Sequence, residues 1–196
     1  MKNTILILLI GITSFCFSQE KTSKEFQDEL NLDYADAKKS PLLKEDLAHF
    51  KSLDFYSISN KYIVKSKLIR SKKPTVAKMK TTTTRIAEFK IYGTLFFELD
   101  GKSLQLKVYQ SFPVSNNPEY TDNLFLPFFD LSSGKESYIG GRYIDLKIPK
   151  GNEIIIDFNQ AYNPYCAYSP NYSCPKVPLE NNLEVAILAG VKKFHD

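Results

Sequence analysis

The chain has 196 residues, enough for one domain with a substantial core, and an ordinary apolar share of 43%. Aromatic residues make up 13% without any Trp, 14 Phe and 12 Tyr, a composition that favours strands and stacked packing. The net charge is +4, or +3 once a leader containing Lys2 is removed. An excess this small, spread along the chain, argues against nucleic acid or a membrane surface as partner.

Met1 to Ser18 reads as a signal peptide. Lys2 supplies the positive start, Ile5 to Ile12 the apolar centre, and small or polar residues follow. The segment is too short to span a bilayer, so stable membrane insertion is not expected. Cleavage after Ser18 leaves a mature chain beginning at Gln19, periplasmic or secreted, with residues 19–196 as a single domain. The alternative is a lipoprotein anchored through Cys16. Phe15 speaks against it, because a small residue is wanted just before a lipidated cysteine.

Ser23 to Lys39 reads as a helix with Phe26, Leu30, Tyr34 and Ala37 as its apolar stripe. Ser40-Pro41 offers an N-cap and a first-turn proline for a second, short helix carrying Leu43, Leu47 and Phe50. From Phe55 the signal changes to strand. Tyr62-Ile63-Val64 and Leu68-Ile69 are short β-like runs, with Lys72-Lys73-Pro74 expected as a basic turn between strands. Thr81 to Thr84 favour extended backbone. Ile91 to Leu99 and Ser103 to Tyr109 flank Asp100-Gly101, which accepts positive φ at both turn positions and predicts a hairpin. Ser115 to Pro118 is a loop.

The stretch from Leu124 to Cys174 concentrates glycines, aromatics, carboxylates, an arginine and two cysteines. Leu124 to Phe129 predicts a buried strand, and Asp130 to Gly141 a polar loop. Gly140-Gly141 marks a tight turn or a close approach by a ligand; the spacing is not that of a phosphate-binding loop. Arg142 to Ile148 and Glu153 to Asn159 are read as a second hairpin around Lys150-Gly151. An even-length loop sets Arg142 opposite Asn159 and Ile144 opposite Asp157, placing Arg142, Asp157 and Asn159 on one face. A three-residue loop sets Asp145 against Asp157 instead. Such a cluster serves either a ligand or an ion pair that braces the loop. Leu183 to Leu188 predicts a last strand.

Ala161 to Pro178 holds four tyrosines, four prolines, Cys166 and Cys174. After loss of the leader these are the only two cysteines, and in an exported chain that predicts one disulfide. The short loop it closes corresponds to roughly 2–3 kcal/mol in the chain-entropy model. Zinc is not supported: His49 and His195 are distant in sequence and the cysteine spacing is not a CxxC pair. No metal or cofactor is expected.

These residues also carry a resemblance. Leu126-Pro127-Phe128 with Asp130, then Gly134, Glu136 and Tyr138, Gly141-Arg142-Tyr143 with Asp145-Leu146, Asp157-Phe158-Asn159, Ala161-Tyr162-Asn163-Pro164, Cys166-Ala167-Tyr168, Ser173-Cys174-Pro175 and Asn182-Leu183 resemble the uncharacterised bacterial family named domain of unknown function 1684 (DUF1684). Ser137 stands where that family usually has Thr, and Val191 where it usually has an acidic residue. The resemblance brings no known reaction, but its signature is largely polar or aromatic on loops and strand ends, where function concentrates.

The expected fold is mainly β, an antiparallel β-sandwich or partly open β-barrel with two N-terminal helices. The expected function is binding of a small polar ligand, such as a sugar, by Glu136, Tyr138, Arg142, Asp157, Asn159, Tyr162 and Asn163. The alternatives are a hydrolase using Glu136, Asp145 or Asp157 as acid and base, and a structural or partner-binding module.

Overall fold

A computed structural model describes residues 21–114, 116–118 and 120–195. The expected signal segment, its expected cleavage site and Cys16 lie outside them. Helix α1 (Ser23–Ala35) begins with a capping box: the Thr22 side chain accepts from the Glu25 amide, and the Glu25 carboxylate accepts from the Thr22 amide. It ends four residues short of the expected Lys39, because the Asp36 carboxylate accepts from the Lys38 amide and builds a turn of its own. Of the expected stripe, Tyr34 is buried, Phe26 and Leu30 are half-buried, and Ala37 is exposed. Helix α2 (Lys44–His49) starts later than Ser40-Pro41 implies. The Ser40 hydroxyl accepts from the Leu42 amide in a preceding turn, and Leu43 is the N-cap.

Six strands follow: β1 (Ile63–Lys80), β2 (Ile86–Leu99), β3 (Lys102–Ser111), β4 (Asn123–Phe128), β5 (Arg142–Lys147) and β6 (Glu153–Asp157). They form one antiparallel sheet in the order β5-β4-β3-β2-β1-β6. The sheet curls until it nearly closes into a barrel. Just past β6, Tyr162 exchanges two backbone hydrogen bonds of 2.9 Å with Tyr143 of β5, so the two ends of the strand order meet. The partly open barrel and the two helices agree with the expected fold class.

The Asp100-Gly101 hairpin forms as expected, with φ of 52° and 70° and Leu99 paired to Lys102. Lys72-Lys73-Pro74, by contrast, does not end a strand. It lies within β1 at a bulge between Arg70 and Thr75, a place where a residue without an amide proton is tolerated. Thr81 makes one bridge to Pro175, and Thr82 to Thr84 bend into the β1–β2 turn, where the Thr81 hydroxyl donates to the Arg85 carbonyl. The second hairpin does not exist: β5 pairs with β4, and β6 pairs with β1. The link between them is a crossover, held at Pro149 and Gly151 by Arg70, which donates to both carbonyls. Turn chemistry at Lys150-Gly151 is local and does not reveal that each strand has a non-local partner.

Leu183 to Leu188 bends at Glu184 and Val185 and, among the described residues, joins no ladder beyond a bridge at Asn182, so the expected last strand does not form. Leu183, Val185, Ile187 and Ala189 alternate into the main core with Leu95, Leu106, Leu126, Phe128, Ile156 and Phe158. A second cluster, Tyr34, Leu42, Leu53, Tyr168 and Val191, mounts the helices on the barrel.

Candidate functional site

Side chains alternate across β5, and this separates two chemically distinct places. Arg142 and Ile144 point into the barrel; Tyr143 and Asp145 point outward beneath α1 and the 162–175 segment.

The inward place is structural. Arg142 is fully buried and its Nη2 donates to Asp130 Oδ2 at 2.8 Å and to the Ile187 carbonyl at 2.7 Å. Nη1 donates to the Ala189 carbonyl. The other Asp130 oxygen accepts from the Ser132 and Ile187 amides at 2.8 and 3.2 Å. The guanidinium also faces the rings of Phe128 and Tyr56 at 5.3 and 5.9 Å. A segment that cannot pair in the sheet thus has its peptide groups satisfied by one ion pair. Gly141 precedes this arginine with φ of 80°, and a Cβ there would lie 2.6 Å from the Phe128 carbonyl. The close approach at this glycine is by the protein's own backbone.

Asp157 and Asn159 do not face Arg142. Asp157 accepts from the Ser23 hydroxyl at 2.6 Å, from Gln160 at 3.1 Å and from the Asn159 amide at 3.0 Å, so it caps the turn after β6 and docks the start of α1. Asn159 is buried and bonded to both backbone groups of Ser59, while its carbonyl accepts from Gln27. Asn163 is buried and donates to the Lys192 carbonyl. Glu136 is exposed on a separate, charged depression with Lys135, Lys192 and Lys193. The three candidate carboxylates Glu136, Asp145 and Asp157 are therefore not brought together as an acid–base pair.

The outward place is a groove of about 440 Å³. Phe26 and Leu30 of α1, Phe89, Phe125, Tyr143 and the tyrosines of the 162–175 segment line it, with Asp145 open to solvent among them. The Phe125 and Tyr143 rings meet edge-on at 4.7 Å, and Tyr143 and Tyr162 are perpendicular at 5.9 Å. The Tyr162 hydroxyl donates to Asp145 Oδ2 at 2.8 Å. Among the described residues no lysine, arginine or histidine forms an ion pair with Asp145. The apolar surroundings raise its pKa from the usual carboxylate value, against the opposing pull of the Tyr162 hydroxyl and the more distant Lys147. Burial likewise lifts the phenols of Tyr143 and Tyr162, so both are neutral donors at ordinary pH.

Cys174 forms part of the groove wall, and Cys166 lies beside it. The two are present as separate thiols; the Cys166 amide donates to Cys174 Sγ at 3.2 Å. The Tyr138 hydroxyl is 3.9 Å from Cys166 Sγ, and burial pushes that phenol up to about 12. Among the described residues no three His, Cys, Asp or Glu side chains converge as metal ligands.

Of the residues expected to bind a ligand, the groove collects Tyr162 alone, and of the candidate carboxylates Asp145. Phe26, Leu30, Phe89, Phe125, Tyr143 and Pro175 were missed as site residues. The one signal for them was the spacing of Tyr143 and Asp145 two apart on a strand, which puts a ring and a carboxylate side by side.

An incomplete antiparallel barrel with an aromatic groove on its outer face defines a class of architecture. The particular family follows from comparison: the model of DUF1684, "Protein of unknown function", matches residues 48–192, and the chain belongs to that family. The solution NMR structure of the uncharacterized protein from gene locus rrnAC0354 of Haloarcula marismortui is similar, with 33% identity and a TM-score of 0.68 over 85% of this chain and 89% of that one. No curated protein matches.

Proposed function

We propose that this is an exported binding protein that takes a small polar ligand with an apolar face, such as a sugar, in the groove around Asp145 and Tyr162. Asp145 carries the proposal: it is a carboxylate open to an aromatic groove, bonded to the Tyr162 hydroxyl and in no ion pair closer than the distant pull of Lys147. Its free acceptor positions suit ligand hydroxyls, while the rings suit a C–H face. The groove volume falls within the range of small-molecule sites. Export rests on the leader-like first 18 residues. The oxidising compartment that export implies favours a bond between the neighbouring Cys166 and Cys174.

A thermal-shift screen of sugars, polyols and aromatic-faced metabolites tests this, with organic amines as the competing class. Hydroxylated ligands should stabilise the wild type, and Asp145→Asn and Tyr162→Phe should each weaken them at least tenfold. Ligands that bind Asp145→Asn unchanged, or a screen in which only cationic amines bind, would overturn the reading.

A further inference from the structure

We propose that Cys166 and Cys174 are a thiol–disulfide exchange pair in the groove wall, in which Cys166 attacks and Cys174 resolves. The proposal stands independently of the ligand reading. Its warrant is an asymmetry between two neighbouring sulfurs. Cys166 is half-exposed on the turn Tyr165–Ala167, whereas Cys174 is buried. Thr82 fixes the Cys174 backbone from both sides: the Cys174 amide donates to the Thr82 hydroxyl at 3.1 Å, and the Cys174 carbonyl accepts from the Thr82 amide at 2.9 Å. The Cys166 amide in turn donates to Cys174 Sγ, which holds that sulfur against the Tyr165–Ala167 turn.

The surroundings also divide the proton unequally. The Cys174 thiol beside Cys166 stabilises its thiolate against the cost of burial, and the hydroxyls of Tyr138 and Thr82 help. The pairing lowers the Cys166 thiol from its ordinary value and, together with burial, raises Cys174, against the opposing pull of the Cys166 amide and Arg85.

The exchange runs as follows with a low-molecular-weight disulfide such as oxidised glutathione. The Cys166 thiolate attacks one sulfur, the reagent's S–S bond breaks, and one half leaves as thiolate and takes up a proton. Cys174 then loses its proton to solvent and attacks Cys166 Sγ, forming the protein disulfide and releasing the second half as thiol. The protein gives up two electrons and the reagent is reduced to two thiols. Because Ser173, Cys174 and Pro175 all line the groove, the bond ties down one of its walls.

The test uses the reduced full-length mature chain. Iodoacetamide labelling followed by peptide mapping should modify Cys166 at least tenfold faster than Cys174 at pH 7. The midpoint of its pH–rate profile should lie below the ordinary thiol value of about 8.5 and move toward it in Cys174→Ala. With oxidised glutathione, Cys174→Ser should accumulate the mixed disulfide on Cys166, and Cys166→Ser should form none on Cys174. Circular dichroism confirms that each variant is folded; if one is not, the wild-type labelling order and midpoint decide by themselves. Equal labelling rates, a midpoint near 8.5 in the wild type, or glutathione captured first by Cys174 would each overturn the assignment.

Discussion

Replacing Arg142 by alanine separates a brace from a binding residue. In the structure the guanidinium is fully enclosed, donates to Asp130 and to the carbonyls of Ile187 and Ala189, and never reaches the groove. Removing it leaves the Asp130 carboxylate buried without its cation, a change that costs about 3–5 kcal/mol. Two carbonyls also lose a charged donor, and each left unsatisfied adds about 1–3 kcal/mol unless water enters. Total stability for a domain is about 5–15 kcal/mol, so the variant should lose a third or more of it. Asp130 keeps the Ser132 and Ile187 amides, which limits the loss toward the lower end. Urea unfolding of wild type, Arg142→Ala, Asp130→Ala and the double variant measures the pair directly. The singles should be strongly destabilised and the double should cost much less than their sum. A single-variant loss below about 1 kcal/mol, the range of surface substitutions, would refute the structural role of Arg142.

Asp157→Ala should free the start of α1 from the barrel, at about 1.5–3 kcal/mol for a charged acceptor of several bonds, seen as faster hydrogen exchange in Ser23–Ala35. Gly141→Ala should destabilise by about 1–3 kcal/mol in a thermal melt, since φ is 80° and the new methyl would meet the Phe128 carbonyl. Asp145 has its pKa raised on folding, so its ionised form is disfavoured in the folded state. The wild type should therefore gain stability relative to Asp145→Asn as pH falls from the raised value toward the unfolded value of about 3.9, and ligand affinity should fall over the same window. Intact-mass analysis of the exported protein should find Gln19 at the N-terminus; a diacylglyceryl group on Cys16 would overturn the soluble assignment.

The class of fold was legible because its signals are local. Asp100-Gly101 can take positive φ at both turn positions, and the apolar run from Leu124 makes a buried strand whatever surrounds it. The site was less legible because its positions depend on pairing. Arg142 was placed opposite Asn159 by counting around Lys150-Gly151, yet β5 and β6 each pair elsewhere. Asp130 was noticed only as part of a family pattern, and nothing local shows that twelve residues on it meets Arg142. Phe26 and Leu30 read as an ordinary core stripe, and only the tertiary structure shows that they wall a groove instead. Val191, a departure from the family pattern read in the sequence, fits its place: it is buried in one cluster with Tyr34, Leu53 and Tyr168.

The most direct test of the groove as the binding site is an NMR titration of the labelled mature protein with the best ligand from the screen. The largest amide shifts should fall on Tyr143 to Asp145, Tyr162 to Tyr165 and Tyr172 to Cys174, and Asp145→Asn should abolish them at the same ligand concentration. Shifts centred on Glu136 and Lys192, or unchanged in Asp145→Asn, would contradict the account.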